Sequence, residues 1–168
     1  MSLEVEPLDA PTGVLGSTVY VFPHICTESH AADAPCHYYC DSKTTDGWQE
    51  NHHVNQTIDW SGAASCVGEL VDGTDALFMM GGGAKTKPLA NMVYFSEKKG
   101  LVTLPRMNHG PLALATSAYL RPNVYLIGGY NSRDYNDHVY RYNTLTLEWL
   151  TTNLPVTGDS FTPRVGLS

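Results

Sequence analysis

The sequence predicts an all-β fold of about three four-stranded antiparallel sheets, made by repeating one unit. Three observations carry this reading. First, residues 76–82 read Ala-Leu-Phe-Met-Met-Gly-Gly and residues 123–129 read Asn-Val-Tyr-Leu-Ile-Gly-Gly, with the double glycines starting at Gly81 and Gly128, 47 positions apart. Second, each is followed by a tyrosine-bearing run, Asn91-Met92-Val93-Tyr94 and Asp137-His138-Val139-Tyr140, and then by Leu104-Pro105 and Leu154-Pro155. Third, the apolar runs are short and bounded by Gly, Pro, Asn, Asp or Ser, which is strand length and turn chemistry. No stretch shows helical apolar spacing with caps. A period near 50 residues belongs to solenoids and propellers, whose units bury their apolar faces only by stacking.

The elements follow in chain order. Residues 1–13 are an N-terminal arm. Residues 14–60 are a degenerate unit: Val19-Tyr20-Val21-Phe22 parallels Val124-Tyr125-Leu126-Ile127, and Trp48 stands 101 residues before Trp149. Pro23-His24 replaces the glycine pair, and a long insertion follows. The chain is expected to enter this unit at its second strand, with Val19. Residues 61–110 form the second unit, which has Tyr94 but lacks the tryptophan. Residues 111–158 form the third, with strands expected over Leu112–Leu120, Val124–Ile127, His138–Tyr142 and Glu148–Thr152. Residues 159–168 look like the first strand of a closing or truncated unit, because Thr162-Pro163-Arg164-Val165 is comparable with Pro111-Leu112-Ala113. The glycine pairs have a mechanical role in this scheme. A side chain there would obstruct neighbouring sheets, and glycine accepts the positive φ of a strand end.

The run VYLIGGYNSRDYNDHVYRYNTLTLEW resembles the kelch repeat: an apolar run, a double glycine, a loop, a tyrosine, then a tryptophan after a turn. The resemblance implies a β-propeller with one four-stranded blade per repeat. About three blades are too few to close a ring. It therefore implies a partial propeller or half of a six-bladed ring, with Arg164–Ser168 of one copy completing the blade begun by Val19–Phe22 of another. A homodimer, or a second chain that completes the propeller, is the expected assembly.

The chain has 168 residues, 42% of them hydrophobic and 16% charged, with a formal net charge of −7. The acidic balance argues against nucleic-acid binding, which needs a basic face. The N-terminus lacks a basic start and an apolar core, and no run reaches the ~20 apolar residues of a membrane helix. The expectation is a cytoplasmic protein with reduced cysteines and no membrane partner.

The densest cluster of potential ligands is His24, Cys26, His30, Cys36, His37 and Cys40. Cys26, His30, Cys36 and Cys40 would suit a structural zinc ion, which accepts thiolate and imidazole in a tetrahedron. The bland alternative is a polar insertion with scattered cysteines, and the absence of a Cys-x-x-Cys pair favours it. No other cofactor is implied. Gly81-Gly82-Gly83-Ala84-Lys85-Thr86 lacks the spacing of a phosphate loop. No motif places a nucleophile beside a base.

Two functional classes stay open. One is a protein-interaction module, an adaptor or scaffold that binds a partner protein or peptide. The other is a fragment or subunit of a kelch-propeller enzyme, such as an oxidase or sugar isomerase. The resemblance places partner binding on the loops between second and third strands (residues 23–36, 84–91 and 130–137) and on the loops between blades. Tyr130, Asn131, Arg133, Asp134 and Tyr135 are the richest group, with Lys85, Lys87, Arg106 and His109 as secondary candidates. Tyr and Arg are common hot-spot side chains, and Arg133 suits an acidic group. The alternative is that Arg133 simply pairs with Asp134 on a solvated loop.

Overall fold

A computed structural model describes residues 10–22, 38–41, 48–50, 58, 60–83, 87–150 and 154–155; for 38–41, 48–50 and 154–155 it describes the backbone alone. Among the described residues there is no helix, and the strands form three antiparallel sheets. Sheet one holds β1 (Thr12–Leu15), β2 (Thr18–Val21), β3 (Tyr38–Asp41) and β4 (Trp48–Glu50), paired in that order. Sheet two holds β5 (Ala63–Glu69), β6 (Asp75–Gly81), β7 (Met92–Ser96) and β8 (Gly100–Thr103). Sheet three holds β9 (Thr116–Leu120), β10 (Asn123–Ile127), β11 (His138–Asn143) and β12 (Glu148–Trp149), with β13 (Leu154–Pro155) on the same side of β11 as β12. Each sheet is a meander whose first strand lies beside the first strand of the next: β1 against β5 and β5 against β9. This is blade-by-blade propeller stacking.

Two expectations need correction. The chain does not enter at Val19. Strand β1 precedes it and takes the edge of β2, with Thr12 opposite Val21 and Leu15 opposite Thr18. The first sheet therefore has its own first strand, and the place expected for Arg164–Ser168 is filled. Those C-terminal residues lie outside the described ones. The first strand of the third unit is also shorter than Leu112–Leu120. Leu112 and Ala113 instead bridge to the neighbouring loops, at Leu89 and Tyr130.

The middle blade is the core. Strand β6 reads Asp-Ala-Leu-Phe-Met-Met-Gly and is buried from Ala76 to Gly81; β7 is buried throughout. A strand covered on both faces can be apolar without alternation. Its two faces serve two seams. Leu77 and Met79 join Leu15, Tyr20, Phe22, Trp60, Val93 and Phe95 against blade one. Phe78 and Met80 join Met92, Tyr94, Val124, Leu126, Tyr142 and Trp149 against blade three. Strand β10 alternates, with Val124 and Leu126 buried and its other residues half-buried.

The glycine pairs end the second strands as expected, and close packing explains the residue type. Gly81 has φ +72°, and a methyl group on it would sit 2.1 Å from the Leu112 carbonyl oxygen of the next blade. Gly82 N–H donates to that same carbonyl at 3.0 Å. The backbones of neighbouring blades touch here, and no side chain fits between them.

The tyrosine landmark is offset by one position. Phe78 pairs with Tyr94 across β6 and β7, whereas Tyr125, its 47-residue equivalent, pairs with Arg141. Tyr94 thus corresponds to Arg141, and Tyr140 lies opposite Leu126. A slip of one residue moves a side chain to the other face of a sheet. Tyr94 and Tyr140 both line the seam between blades two and three, but from its opposite sides.

Candidate protein-interaction face

The described parts of the loops after β6 and β10 and the connection 104–113 gather at one end of the sheets. Backbone bonds stitch them together. Leu89 N–H donates to Gly82, Leu112 N–H to Leu89 and Met107 N–H to Ala90, at 3.0, 3.0 and 2.9 Å. Ala113 and Tyr130 exchange N–H and C=O in both directions, at 2.9 and 2.8 Å. The connection 104–113 is therefore bonded to the loops of both blades that it joins.

The β10–β11 loop is held by its own side chains. Asn131 Oδ1 accepts the backbone N–H of Arg133 and of Asp134, both at 2.9 Å. That is a side-chain-capped turn, which fixes the backbone of the loop. Asn136 closes the base of the loop. It is buried, its Nδ2 donates to the carbonyls of Gly128 and His138, and its Oδ1 accepts the Tyr140 hydroxyl at 2.9 Å. Tyr130 and Tyr135 bridge across the loop with rings 5.9 Å apart.

The named candidates fall into different roles. Tyr135 is 60% exposed. The Arg133 side chain makes no hydrogen bond or ion pair among the described residues, so the pairing with Asp134 is not formed. Arg106 is exposed on the blade connection. Asn131 is occupied by the turn. Lys85 lies outside the described residues. Cys26, His30 and Cys36 lie outside them too, and Cys40 is described only as backbone on β3. Among the described residues no group of three or more metal-ligating side chains occurs. The Cys66 thiol, half-buried on β5, is pushed up to about 11 by burial, which makes it a poor nucleophile.

His109 is a seam residue. Its ring stacks on Tyr140 at 3.5 Å and 5°, and meets Trp149 edge-on at 4.8 Å. Both ring nitrogens are shielded from water and unpaired. Burial pushes its pKa down to about 4, so the neutral imidazole is the resident form. The sequence shows no signal for this stacking, because His109 and Tyr140 lie on different blades.

Residues 111–151 match the family described as the Kelch motif. Among solved structures the fold is similar to that of YjhT, a kelch-type propeller protein, with a TM-score of 0.67 and 14% identity over 89% of this chain. At that identity the likeness concerns the fold alone. The chain spans about half of YjhT, 52% of its length. No curated protein matches the sequence. No helix among the described residues is long and apolar enough to cross a membrane. The third sheet carries the Kelch motif, and all three sheets are blades of the kelch propeller fold.

Proposed function

We propose that the chain is a protein-interaction module, an adaptor or scaffold whose loop face binds a partner protein or peptide. The observation that carries this reading is the loop 130–137. A guanidinium at Arg133 that is unpaired among the described residues and an exposed ring at Tyr135 stand on a turn already fixed by Asn131 and Asn136. Preorganised loops bind with less ordering cost than flexible ones. Arg133 suits a carboxylate or another acidic group, and Tyr135 and Tyr130 offer aromatic area beside it. Asp134 follows Arg133 in the same turn, and Arg106 is exposed on the connection between blades two and three. The His109 nitrogens are shielded, so His109 supports the face from beneath.

A displayed random-peptide library panned against the intact chain tests this. Enriched peptides are expected to carry acidic residues. Arg133→Glu or Tyr135→Ala should weaken them about tenfold or more, the equivalent of 1.4 kcal/mol. Lys98→Ala, on the opposite end of the sheets, should leave binding unchanged. Equal losses for all three variants, or no enriched acidic peptide, would overturn the reading.

A further inference from the structure

Tyr140 touches two parts of the molecule at once. Its ring stacks on His109, which lies on the connection 104–113, at 3.5 Å and 5°. Its hydroxyl donates to Asn136 Oδ1 at 2.9 Å, inside the loop 130–137. Burial, and then the charge of Asp137, push the Tyr140 pKa up, so the hydroxyl keeps its proton and can donate. In blade two the same register position is Val93, which lies opposite Met79 as Tyr140 lies opposite Leu126. An aliphatic side chain is therefore enough to fill that place in the repeat. Blade three has a longer residue there, and its polar end reaches the loop.

Asn136 is the one buried residue of 131–137; the other six are exposed. Its amide cannot turn. Nδ2 donates to the carbonyls of Gly128 and His138 at 2.9 and 2.8 Å, and its backbone N–H donates to Gly129 at 2.8 Å. With the nitrogen held by two carbonyls, the amide oxygen is left for the Tyr140 hydroxyl. The turn at Asn131 shapes the tip of the loop, whereas Asn136 fixes where that tip stands on the blade. On the other side, the His109 ring is wedged between Tyr140 and the edge of Trp149.

We propose that His109 and Tyr140 are positioning residues for the loop 130–137. The His109 ring sets the Tyr140 ring, the Tyr140 hydroxyl sets Asn136, and Asn136 sets the base of the loop that carries Arg133 and Tyr135. The loop then holds its shape only while blade three is seated against the connection from blade two. This link deepens the loop-binding reading and rests on it for its purpose, but it is measured on the free chain, so it stands or falls whether or not a peptide binds.

The test is hydrogen exchange at the amides of Arg133, Asp134 and Asn136, read by NMR on the full chain. Amides of an exposed loop exchange through local opening, so a general loss of stability does not move them. Tyr140→Phe keeps the ring and removes the hydroxyl. It should speed exchange at these amides about fivefold, the effect of losing one neutral hydrogen bond. His109→Leu keeps bulk in the seam without a flat ring and should speed the same amides, while His109→Phe should leave them near wild type. The double variant Tyr140→Phe/His109→Leu should be no faster than Tyr140→Phe alone, because both act through one hydroxyl. Circular dichroism checks that each variant keeps its β signal. Wild-type loop rates in Tyr140→Phe, effects that multiply in the double variant, or equal loosening by His109→Phe and His109→Leu would overturn the proposal.

Discussion

At the scale of single residues, two positions show how the fold constrains chemistry. Gly81 and Gly73 both have positive φ, at +72° and +76°. Only Gly81 meets another backbone; nothing lies within 4 Å of a methyl group on Gly73. Gly73→Ala should therefore cost about 1–2 kcal/mol, the left-handed penalty alone. Gly81→Ala should cost about 2–4 kcal/mol, because strain and blade separation add. Urea unfolding of the two variants checks the difference. Equal costs would mean that the blades yield. His109 gives a pH signature. Its folded value is about 4 and its unfolded value about 6.5. Between those values the unfolded chain binds a proton that the folded chain refuses. Stability is then complete above about pH 6.5 and falls as pH drops toward 4. His109→Phe keeps the stacking ring and should flatten that part of the curve relative to wild type. Parallel curves for the two proteins would show that His109 charges freely in place.

At the scale of strands, the sequence exposed the pattern but not the faces. The Gly81 and Gly128 landmarks were legible because backbone contact demands glycine and leaves a two-letter mark. The runs before them were legible as strands from their composition. The tyrosine match was misleading by one position, since Tyr94 and Tyr140 look equivalent in the chain while the ladders pair Tyr94 and Arg141 with equivalent residues. Strand β1 was missed because Thr-Gly-Val-Leu is four residues with a central glycine, too short for a period to show. Gly13 is there because Leu77 of blade two approaches it closely, a long-range cause that the local sequence does not display. The strand faces also predict unequal mutational costs. Phe78 is sealed between blades, and Phe78→Ala should cost about 3–5 kcal/mol. Tyr125 holds the equivalent register position on a half-covered face. Tyr125→Ala should cost clearly less when measured at concentrations where the chain is monomeric. A matching cost would show that blade three is covered as completely as blade two.

At the scale of the whole molecule, three stacked blades behave as a short linear array, each contacting its neighbours alone. The middle blade makes two seams and each outer blade makes one among the described residues. Opening an outer blade breaks one seam, whereas opening the middle blade breaks both. Hydrogen exchange should therefore rank the amides. Those of Leu77–Met80 and Val93–Phe95 should exchange slowest, through unfolding of the entire array. Those of β1 and β10 should exchange faster, through detachment of single blades. Strand β6 is sealed on both sides, so its amides should open only with the whole array. A β10 that exchanges as slowly as β6 would mean that the far face of blade three is covered as completely as those of blade two.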